Sequence, residues 1–247
     1  MQPLEDVLKA TIADVVVPHG DAPHPLFFPS SGAIRTRLPN ELDREAEGRD
    51  LHFTPRTLIF LEGDVAHSLY QITRGAVMLY KLLPDGRRQV VEVLGIGDVF
   101  GFSPSRVYDC SAETLVASSC AAFDRAMVEQ SPVLMRKLSA HLYLQLSALH
   151  EHVMLLGRKS AMERITSFLT RCIPGRGGPT CPGPRERDDS AQIHLAMTRQ
   201  EIADYLGLTI ETVSRTMTLL ENEDTIELPS ARRVVVRSQR RLQQLNA

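Results

Sequence analysis

Three polar residues, Glu211, Ser214 and Arg215, are the part of this sequence best suited to chemistry with a nucleic acid. Glu211 and Arg215 are four positions apart, so on a helix both side chains lie on one face. A carboxylate there can accept from the amino group of cytosine, while a guanidinium can donate to O6 and N7 of guanine. The alternative is a simple surface ion pair between the two, worth a few tenths of a kcal/mol.

Two short helices joined by a tight turn must position these residues, and residues 197–220 carry the signals for both. Thr198 and Glu201 have the spacing of a capping box, which predicts the start of a first helix. Gly207 is expected to end that helix, and Thr209 is a good N-cap for a second one. The sequence therefore predicts a helix-turn-helix.

The second predicted helix has one apolar side and one polar side. Val213, Met217 and Leu220 recur at i, i+4 and i+7, which predicts a buried face. Glu211 and Arg215 then lie on the free side, within the first two turns, which is the part of a recognition helix that enters the major groove. This context favours base reading over the simple ion pair.

The run ETVSR at 211–215, preceded by RQEIADYLGLTI at 199–210, resembles the DNA-binding helices of the FNR and FixK branch of the CRP/FNR transcription regulators. The resemblance implies a homodimer that reads TTGA-type half-sites in an inverted repeat of double-stranded DNA. It also implies contact with RNA polymerase and activation of genes for low-oxygen or nitrogen-oxide metabolism. The residues expected at the DNA are Thr198, Arg199, Thr209, Ile210, Glu211, Thr212, Ser214, Arg215, Arg232 and Arg233.

Composition is consistent with a two-domain intracellular protein. The 247 residues, 43% of them apolar, are enough for two modest cores. No apolar run has the length of a membrane span, and Glu5 and Asp6 stand where a signal peptide would be basic, so we expect a cytoplasmic protein without membrane contact. The net charge of −2 gives no global sign of nucleic-acid binding.

The charge near the C-terminus is balanced but unevenly placed. From residue 191 onward there are seven arginines and seven acidic residues. Five of the arginines follow the predicted helix pair, where they could approach phosphates or form a solvated tail. These are Arg232, Arg233, Arg237, Arg240 and Arg241.

The middle of the chain is typical of a β domain. Between residues 51 and 123, short apolar stretches alternate with glycines, and Pro84-Asp85-Gly86 predicts the turn of a hairpin. The segments FLEGD (60–64), LYQITRGAV (69–77) and LGIGDVFG (94–101) are similar to the β-roll of cyclic-nucleotide-binding-like domains. This resemblance indicates the fold more strongly than it indicates a ligand.

The polar anchors for a cyclic nucleotide are absent from the expected positions. Ligand-binding relatives have a Gly-Glu run and a downstream Arg triplet, which satisfy the ribose and the cyclic phosphate. Here Phe102 replaces the Glu, and residues 110–112 read Cys-Ser-Ala. We therefore expect no cyclic-nucleotide binding, with Arg106 as a possible displaced substitute.

A long helix is predicted between the two domains, from about residue 132 to 159. Apolar residues recur on it at steps of three and four, which is typical of a helix that packs along a partner helix. The predicted dimer stripe is Met135, Leu138, Leu142, Leu146, Leu149, Val153 and Leu156. A core helix on its own β domain is the alternative, and a second apolar face lets one helix do both: Leu134, Leu144, Ala148 and Leu155.

These observations predict an α+β protein with an N-terminal cyclic-nucleotide-binding-like β-roll, a long dimerisation helix and a C-terminal winged helix-turn-helix. The expected divisions are an irregular arm at 1–50, the β-roll at 51–127, the dimerisation helix at 128–159 and the DNA-binding domain at 160–247. The wing is expected at about 225–237, and a Pro/Gly-rich loop at 173–190.

No cofactor, metal or catalytic site is predicted. The cysteines at 110, 120, 172 and 181 lack the spacing of an iron–sulfur or zinc site, and residues 1–109 contain no cysteine. No known catalytic motif is present. Haem ligation by a single histidine stays open. So does a second function, in which the β-roll senses a small molecule or haem and the C-terminal helices make protein contacts.

Overall fold

The computed structural model describes residues 48–173 and 190–246. Within these ranges the chain forms eleven strands and six helices. The strands are β1 (Arg49–Phe53), β2 (Leu58–Phe60), β3 (Ser68–Arg74), β4 (Val77–Leu82), β5 (Arg88–Leu94), β6 (Val99–Phe100), β7 (Ser111–Thr114), β8 (Ser118–Asp124), β9 (Ala191–His194), β10 (Ile226–Ser230) and β11 (Arg233–Val236). The helices are α1 (Arg125–Gln130), α2 (Pro132–Arg158), α3 (Ala161–Cys172), α4 (Arg199–Leu206), α5 (Ile210–Asn222) and α6 (Gln239–Gln244).

Strands β1 to β8 form the predicted β-roll from two antiparallel four-stranded sheets. The strand orders are β1-β8-β3-β6 and β2-β7-β4-β5. The inward side chains of both sheets share one apolar core, which includes Ile72 and Phe100 from one sheet and Phe60 and Leu94 from the other. The β-roll is thus confirmed, and its first strand begins two residues before the expected boundary at 51.

The predicted hairpin is the connection between β4 and β5. Leu82 pairs with Arg88 across the two strands. Gly86 has a φ of +83°, a left-handed conformation that glycine adopts without steric cost, and its N–H donates to the carbonyl of Leu83 at 2.9 Å. The turn therefore forms where the Pro-Asp-Gly sequence predicted it.

Helix α2 is the predicted long helix, with 27 residues and a length of roughly 40 Å. Ser131 caps it by accepting from the N–H of Leu134, and Pro132 occupies the first position, where no N–H is needed. Leu134 packs with Phe123 on the β-roll, while Leu155 joins the core of the C-terminal domain. Leu134 and Leu155 of the second apolar face that the sequence indicated are therefore buried.

Leu138 corrects the predicted dimer stripe. Its side chain is only 7% exposed and packs against β-roll residues that include Leu69 and Val99. Residue 138 lies at the border of the two apolar faces, where spacing alone does not decide which face a residue joins. We therefore exclude Leu138 from the surface available to a partner helix.

The C-terminal domain combines α3 to α6 with a three-stranded antiparallel sheet of order β10-β11-β9. Its core includes Ile165 of α3, Ile193 of β9 and Met217 of α5. Strands β10 and β11 form the wing at the predicted position. Residues 1–47 of the expected arm and residues 174–189 of the expected loop lie outside the described residues.

The two domains share one apolar core instead of being joined only by the long helix. Val90 and Val93 of β5 belong to the same cluster as Ile202 and Leu206 of α4. At the end of α2, the ring of His152 stacks on Tyr205 of α4, with 4.3 Å between ring centroids. Consequently, the first helix of the helix-turn-helix rests directly on the β-roll.

Arginines of the β-roll reinforce this contact. Arg56 donates to the carboxylate of Glu201 and, through Nη2, to the carbonyl of Ala196 at 3.1 Å. Arg88 donates through Nε to Oδ2 of Asp204 at 3.0 Å. Both acidic partners are on α4, so the β-roll holds this helix by charge as well as by apolar packing.

Arg56 reaches α4 from an unusual backbone conformation. Its φ is +62°, in the left-handed region that disfavours residues with a Cβ. Hydroxyl and backbone groups of the neighbouring loop hold this conformation: Thr57 N–H donates to Oγ1 of Thr114 at 2.9 Å, and that hydroxyl donates to the carbonyl of Thr54 at 2.8 Å. The loop therefore presents the guanidinium in one fixed position.

The carboxylate of Glu201 serves two structures at once. Oε2 accepts from the N–H and the hydroxyl of Thr198, at 2.7 and 3.0 Å, which completes the predicted capping box. Oε1 accepts from Arg56. Since Glu201 is only 5% exposed, these partners replace the water that its charge has lost.

Replacing Glu201 by Ala should lower the free energy of unfolding by about 2–4 kcal/mol, because it leaves the guanidinium of Arg56 half-buried without its anion and removes the carboxylate half of the capping box. Urea denaturation of the full chain measures this. The matched control is Glu129→Ala, which removes only a surface ion pair with Arg125 and should cost less than about 1 kcal/mol. Equal costs for both variants would contradict this role of Glu201.

Candidate nucleic-acid interface

Helices α4 and α5 form the predicted helix-turn-helix, and each predicted end is present. Thr198 Oγ1 accepts from the N–H of Glu201 at 3.2 Å, and Gly207 ends α4 with a φ of +61°. Thr209 caps α5 by accepting from the N–H of Thr212 at 3.2 Å. The tight turn between the helices therefore depends on one left-handed glycine and two threonine caps.

Helix α5 has the two faces that the sequence predicted. Val213, Met217 and Leu220 are at most 1% exposed and face the core of the domain. The side chains of Glu211 and Arg215, by contrast, are exposed. Burial of the apolar face fixes the rotation of α5, so these polar groups are presented together from its first two turns.

The electrostatics of Glu211 favour an ionised carboxylate. The backbone N–H at the start of α5 lowers the pKa of this carboxyl group, and Thr209 lowers it further. The charge of Arg215 contributes only a smaller effect in the same direction. The local helix end, and not an ion pair with Arg215, is thus what mainly stabilises the anion.

Other predicted contact residues surround this pair. Thr198 and Thr209 are exposed at the N-termini of α4 and α5, while Thr212 is half-buried. Ile210 is 37% exposed beside Glu211, where an apolar side chain could contact a thymine methyl. Thr209, Ile210 and Thr212 thus lie at the N-terminal end of α5, and Thr198 lies at that of α4.

Arg199 is placed differently from the other expected contacts. Its side chain is half-buried, and its Nη1 is buried without a hydrogen-bond partner in the described structure. Burial lowers the pKa of its guanidinium, while Glu221 raises it. Arg199 was expected at the DNA, and its partly buried guanidinium makes it less accessible to DNA than the exposed residues of α5.

The wing carries the arginines that were expected near phosphates. Arg232 and Arg233 are exposed at the tip, where β10 turns into β11. Arg237 instead pairs with Glu227 at 3.0 Å, and Arg241 pairs with Glu223 at 3.3 Å, so acidic side chains of the same domain partly neutralise both. Exposure at the tip of the wing is the observation that supports a phosphate contact for Arg232 and Arg233.

Sequence reasoning missed the arginines that position this domain. Arg56 and Arg88 contact α4 from the β-roll, and Arg164 contacts the turn that precedes α5. Each of these residues is 40 or more positions from its partner, and no local pattern marks such a pair. Only the capping residue Glu201 had a sequence signal, because its spacing from Thr198 was visible.

Aromatic rings fill the interior of the β-roll. Phe60 stacks on Tyr108 with 3.7 Å between ring centroids, and Tyr70 stacks on Phe100 at 5.1 Å. Phe102, which replaces the expected Glu, packs beside the apolar cluster under α2. This interior favours packing over a polar ligand cradle, and the absence of cyclic-nucleotide binding stays a prediction.

The cysteines in the described residues are thiols with raised pKa values. Burial raises the pKa of Cys110, Cys120 and Cys172 to about 12. Cys181 lies outside the described ranges. Within those ranges no three metal-ligating side chains converge, and no helix is long and apolar enough to cross a membrane.

Glu92 is a charged group placed against the interior of the β-roll. It pairs in register with Leu79 and so shares the face of that core residue. Its Oε1 is buried and has no hydrogen-bond partner among the described residues. Loss of water raises the pKa of this carboxyl group to about 7, and the nearby acids Asp98 and Asp109 raise it in the same direction.

A β-roll joined by a long helix to a winged helix-turn-helix with an exposed polar reading face defines a DNA-binding regulator. The comparisons with known proteins agree with this class. The family "Crp-like helix-turn-helix domain" matches residues 163–245, and the family "Cyclic nucleotide-binding domain" matches residues 50–131. The chain belongs to the CRP/FNR family of transcription regulators, a class of proteins without catalytic activity.

Curated relatives and solved structures with similar sequence come from the same family. The chain is 40% identical over 217 residues to the nitrogen fixation regulation protein FixK of Bradyrhizobium diazoefficiens, covering 81% of this chain and 86% of the relative. It is 39% identical to FixK of Azorhizobium caulinodans, covering 82% and 81%. The structure of FixK2 from Bradyrhizobium japonicum matches with a TM-score of 0.69 and 33% identity, covering 81% and 98%.

Replacing Glu92 by Gln should stabilise the protein in a pH-dependent way. Because the pKa of Glu92 is raised in the folded state, its contribution to stability is complete below about pH 4.5 and is lost as the pH rises through about 7. Gln imitates the protonated acid, so at pH 8 the variant should be more stable than the parent by about 3 kcal/mol, and at pH 4.5 nearly equal in stability. Urea denaturation at both pH values, with Glu129→Gln as the surface control, measures the difference; a constant difference would exclude this explanation.

Proposed function

We propose that this protein is a homodimeric transcription activator that reads TTGA-type half-sites arranged as an inverted repeat. The observation that carries the proposal is the exposed set of Glu211, Ser214 and Arg215 on a helix whose opposite face is fully buried. Glu211 accepts from a cytosine amino group, and Arg215 donates to a guanine. Arg232 and Arg233 at the wing tip contact phosphates and add affinity without sequence preference.

The dimer forms along the apolar stripe of α2. Met135, Leu142, Leu146 and Val153 are between 37% and 65% exposed, although they are apolar and lie along one side of a single helix. Leu149 and Leu156 are half-buried at the edge of the same stripe. Burying such a stripe against a second copy removes this apolar area from water.

The biological setting follows from the relatives. Two of them are named as nitrogen fixation regulation proteins, and another, from Rhodopseudomonas palustris, is named as the transcriptional activatory protein AadR. By analogy, this protein acts in the cytoplasm, contacts RNA polymerase and activates genes of low-oxygen or nitrogen-oxide metabolism. The alternative function is a small-molecule or haem sensor whose C-terminal helices contact proteins. A protein of that kind would not bind inverted-repeat DNA in preference to random DNA.

Truncating the two base-reading residues should change sequence preference. Glu211→Ala should relax discrimination at one base pair of the half-site, and Arg215→Ala should relax it at the guanine, each with a loss of about 1–3 kcal/mol on the preferred site. Selection of binding sites from random DNA measures the preference of each variant, and competition with random duplex measures its specificity.

The matched control for these variants is Arg232→Ala, which removes a charge from the wing tip. It should weaken binding to all sequences alike and reduce the dependence of affinity on salt concentration. If Glu211→Ala and Arg215→Ala keep the base preferences of the parent, then α5 does not read bases as proposed. If the parent protein binds no DNA sequence in preference to random duplex, the alternative function, in which the C-terminal helices contact proteins, is favoured.

A charge in the α2 stripe should break the dimer. Leu146→Glu would place an unpaired carboxylate in the apolar seam, which costs several kcal/mol. Sedimentation should show a monomer with unchanged circular dichroism, and the affinity for DNA with two half-sites should collapse. The control is Ser147→Glu, because residue 147 is also exposed but lies off the stripe. A Leu146→Glu protein that stays dimeric would place the interface elsewhere.

A further inference from the structure

Arg164 of α3 lies at the junction between the long helix and the helix-turn-helix. Its Nε donates to the carbonyl of Lys159 at 2.9 Å, and Nη2 donates to that of Leu156 at 2.6 Å. Its Nη1 donates to the carbonyls of Leu206 at 2.9 Å and, more weakly, Gly207 at 3.4 Å. One guanidinium therefore joins the C-terminal end of α2 to the turn directly before α5.

The four acceptors have the same chemical character. All are backbone carbonyls at the C-terminal ends of α2 and α4. Such carbonyls accept no hydrogen bond from their own helix, and they lie at the negative end of the helix dipole. A planar guanidinium can donate in two directions at once with fixed geometry. Lysine has its charge at a single point, so it cannot hold both helix ends in the same relative position.

We propose that Arg164 is a positioning residue that sets the distance between the two DNA-reading helices of the dimer. This proposal rests on the proposed dimerisation through α2. In such a dimer the two α2 helices form the fixed frame, and each α5 is connected to it through the turn that Arg164 holds. A rotation of the domain at this junction moves both reading helices and so changes the spacing of half-sites that they fit.

Neighbouring contacts restrict the same junction from other sides. Lys159, the C-cap of α2, donates through Nζ to the hydroxyl of Ser167 at 3.1 Å and to the carbonyl of Asn246 at 2.9 Å. Those bonds tie the junction to α3 and to the C-terminus. Arg164 differs from Lys159 because its contacts reach the turn before α5.

The test measures the affinity of the full-length protein for inverted repeats whose half-sites are separated by the preferred spacer, or by one base pair more or less. Arg164→Ala and Arg164→Lys should lose at least about tenfold in affinity at the preferred spacer, because charge-assisted hydrogen bonds are removed. They should lose much less at the other spacers, so the preference for one spacer disappears. Their base preference and their dimeric state should stay those of the parent.

The matched control is Arg158→Ala, which removes an exposed positive charge from the end of α2 and should keep the spacer preference of the parent. If the Arg164 variants bind all spacers less tightly by the same factor, Arg164 has only a structural role and the proposal is wrong. Full recovery of the spacer preference in Arg164→Lys would also overturn it. If the parent itself is monomeric or ignores inverted repeats, then the proposed function fails first, and this inference fails with it.

Discussion

The organisation of this protein depends on a buried carboxylate, that of Glu201. One of its oxygens completes the capping box of α4 with Thr198, and the other binds Arg56 of the β-roll. A buried anion is tolerated only when such partners replace its hydration. The same side chain therefore caps the first helix of the helix-turn-helix and binds this helix to the β-roll. A change at Glu201 affects both contacts together. Arg56 belongs to the same constraint, since it contacts α4 from a left-handed backbone conformation in a loop that threonine hydrogen bonds hold.

Our proposals assign base reading and the positioning of the DNA-binding domain to different arginines with different surroundings. Arg215 is exposed on α5 and has its donors available to DNA, whereas Arg164 is half-buried and donates to carbonyls of four residues. A guanidinium suits both tasks, because its rigid set of donors can recognise a base edge or connect two helix ends. The division explains why a change at one arginine should alter which bases are preferred, and a change at the other should alter how far apart the half-sites lie.

Local signals were sufficient wherever adjacent residues decide the structure. The caps at Thr198 and Thr209, the turn at Gly207 and the hairpin at Gly86 all depend on backbone groups within a few positions, and all were predicted correctly. Leu138 shows the limit of such signals. Its spacing fits the dimer stripe of α2, yet the β-roll lies close enough to bury it within one protomer. Arg199 was expected at the DNA from its position at the start of α4, and only the fold shows that its side chain is half-buried with Nη1 out of contact with water.

The sequence by itself determined the two helices, the polar face of α5, the short strands of the β domain and the long amphipathic helix, because periodicity, capping and turn signals are properties of short segments. That the strands form a β-roll was implied by the resemblance of three segments to cyclic-nucleotide-binding-like domains. The tertiary structure alone decided which apolar residues of α2 are covered and how the DNA-reading domain is held. Arg56 finds Glu201 from 145 positions away, and Arg164 finds Leu206 from 42. Such contacts form only after packing has brought distant segments together, since a guanidinium can pair with any nearby carboxylate or carbonyl and its sequence context does not specify which one.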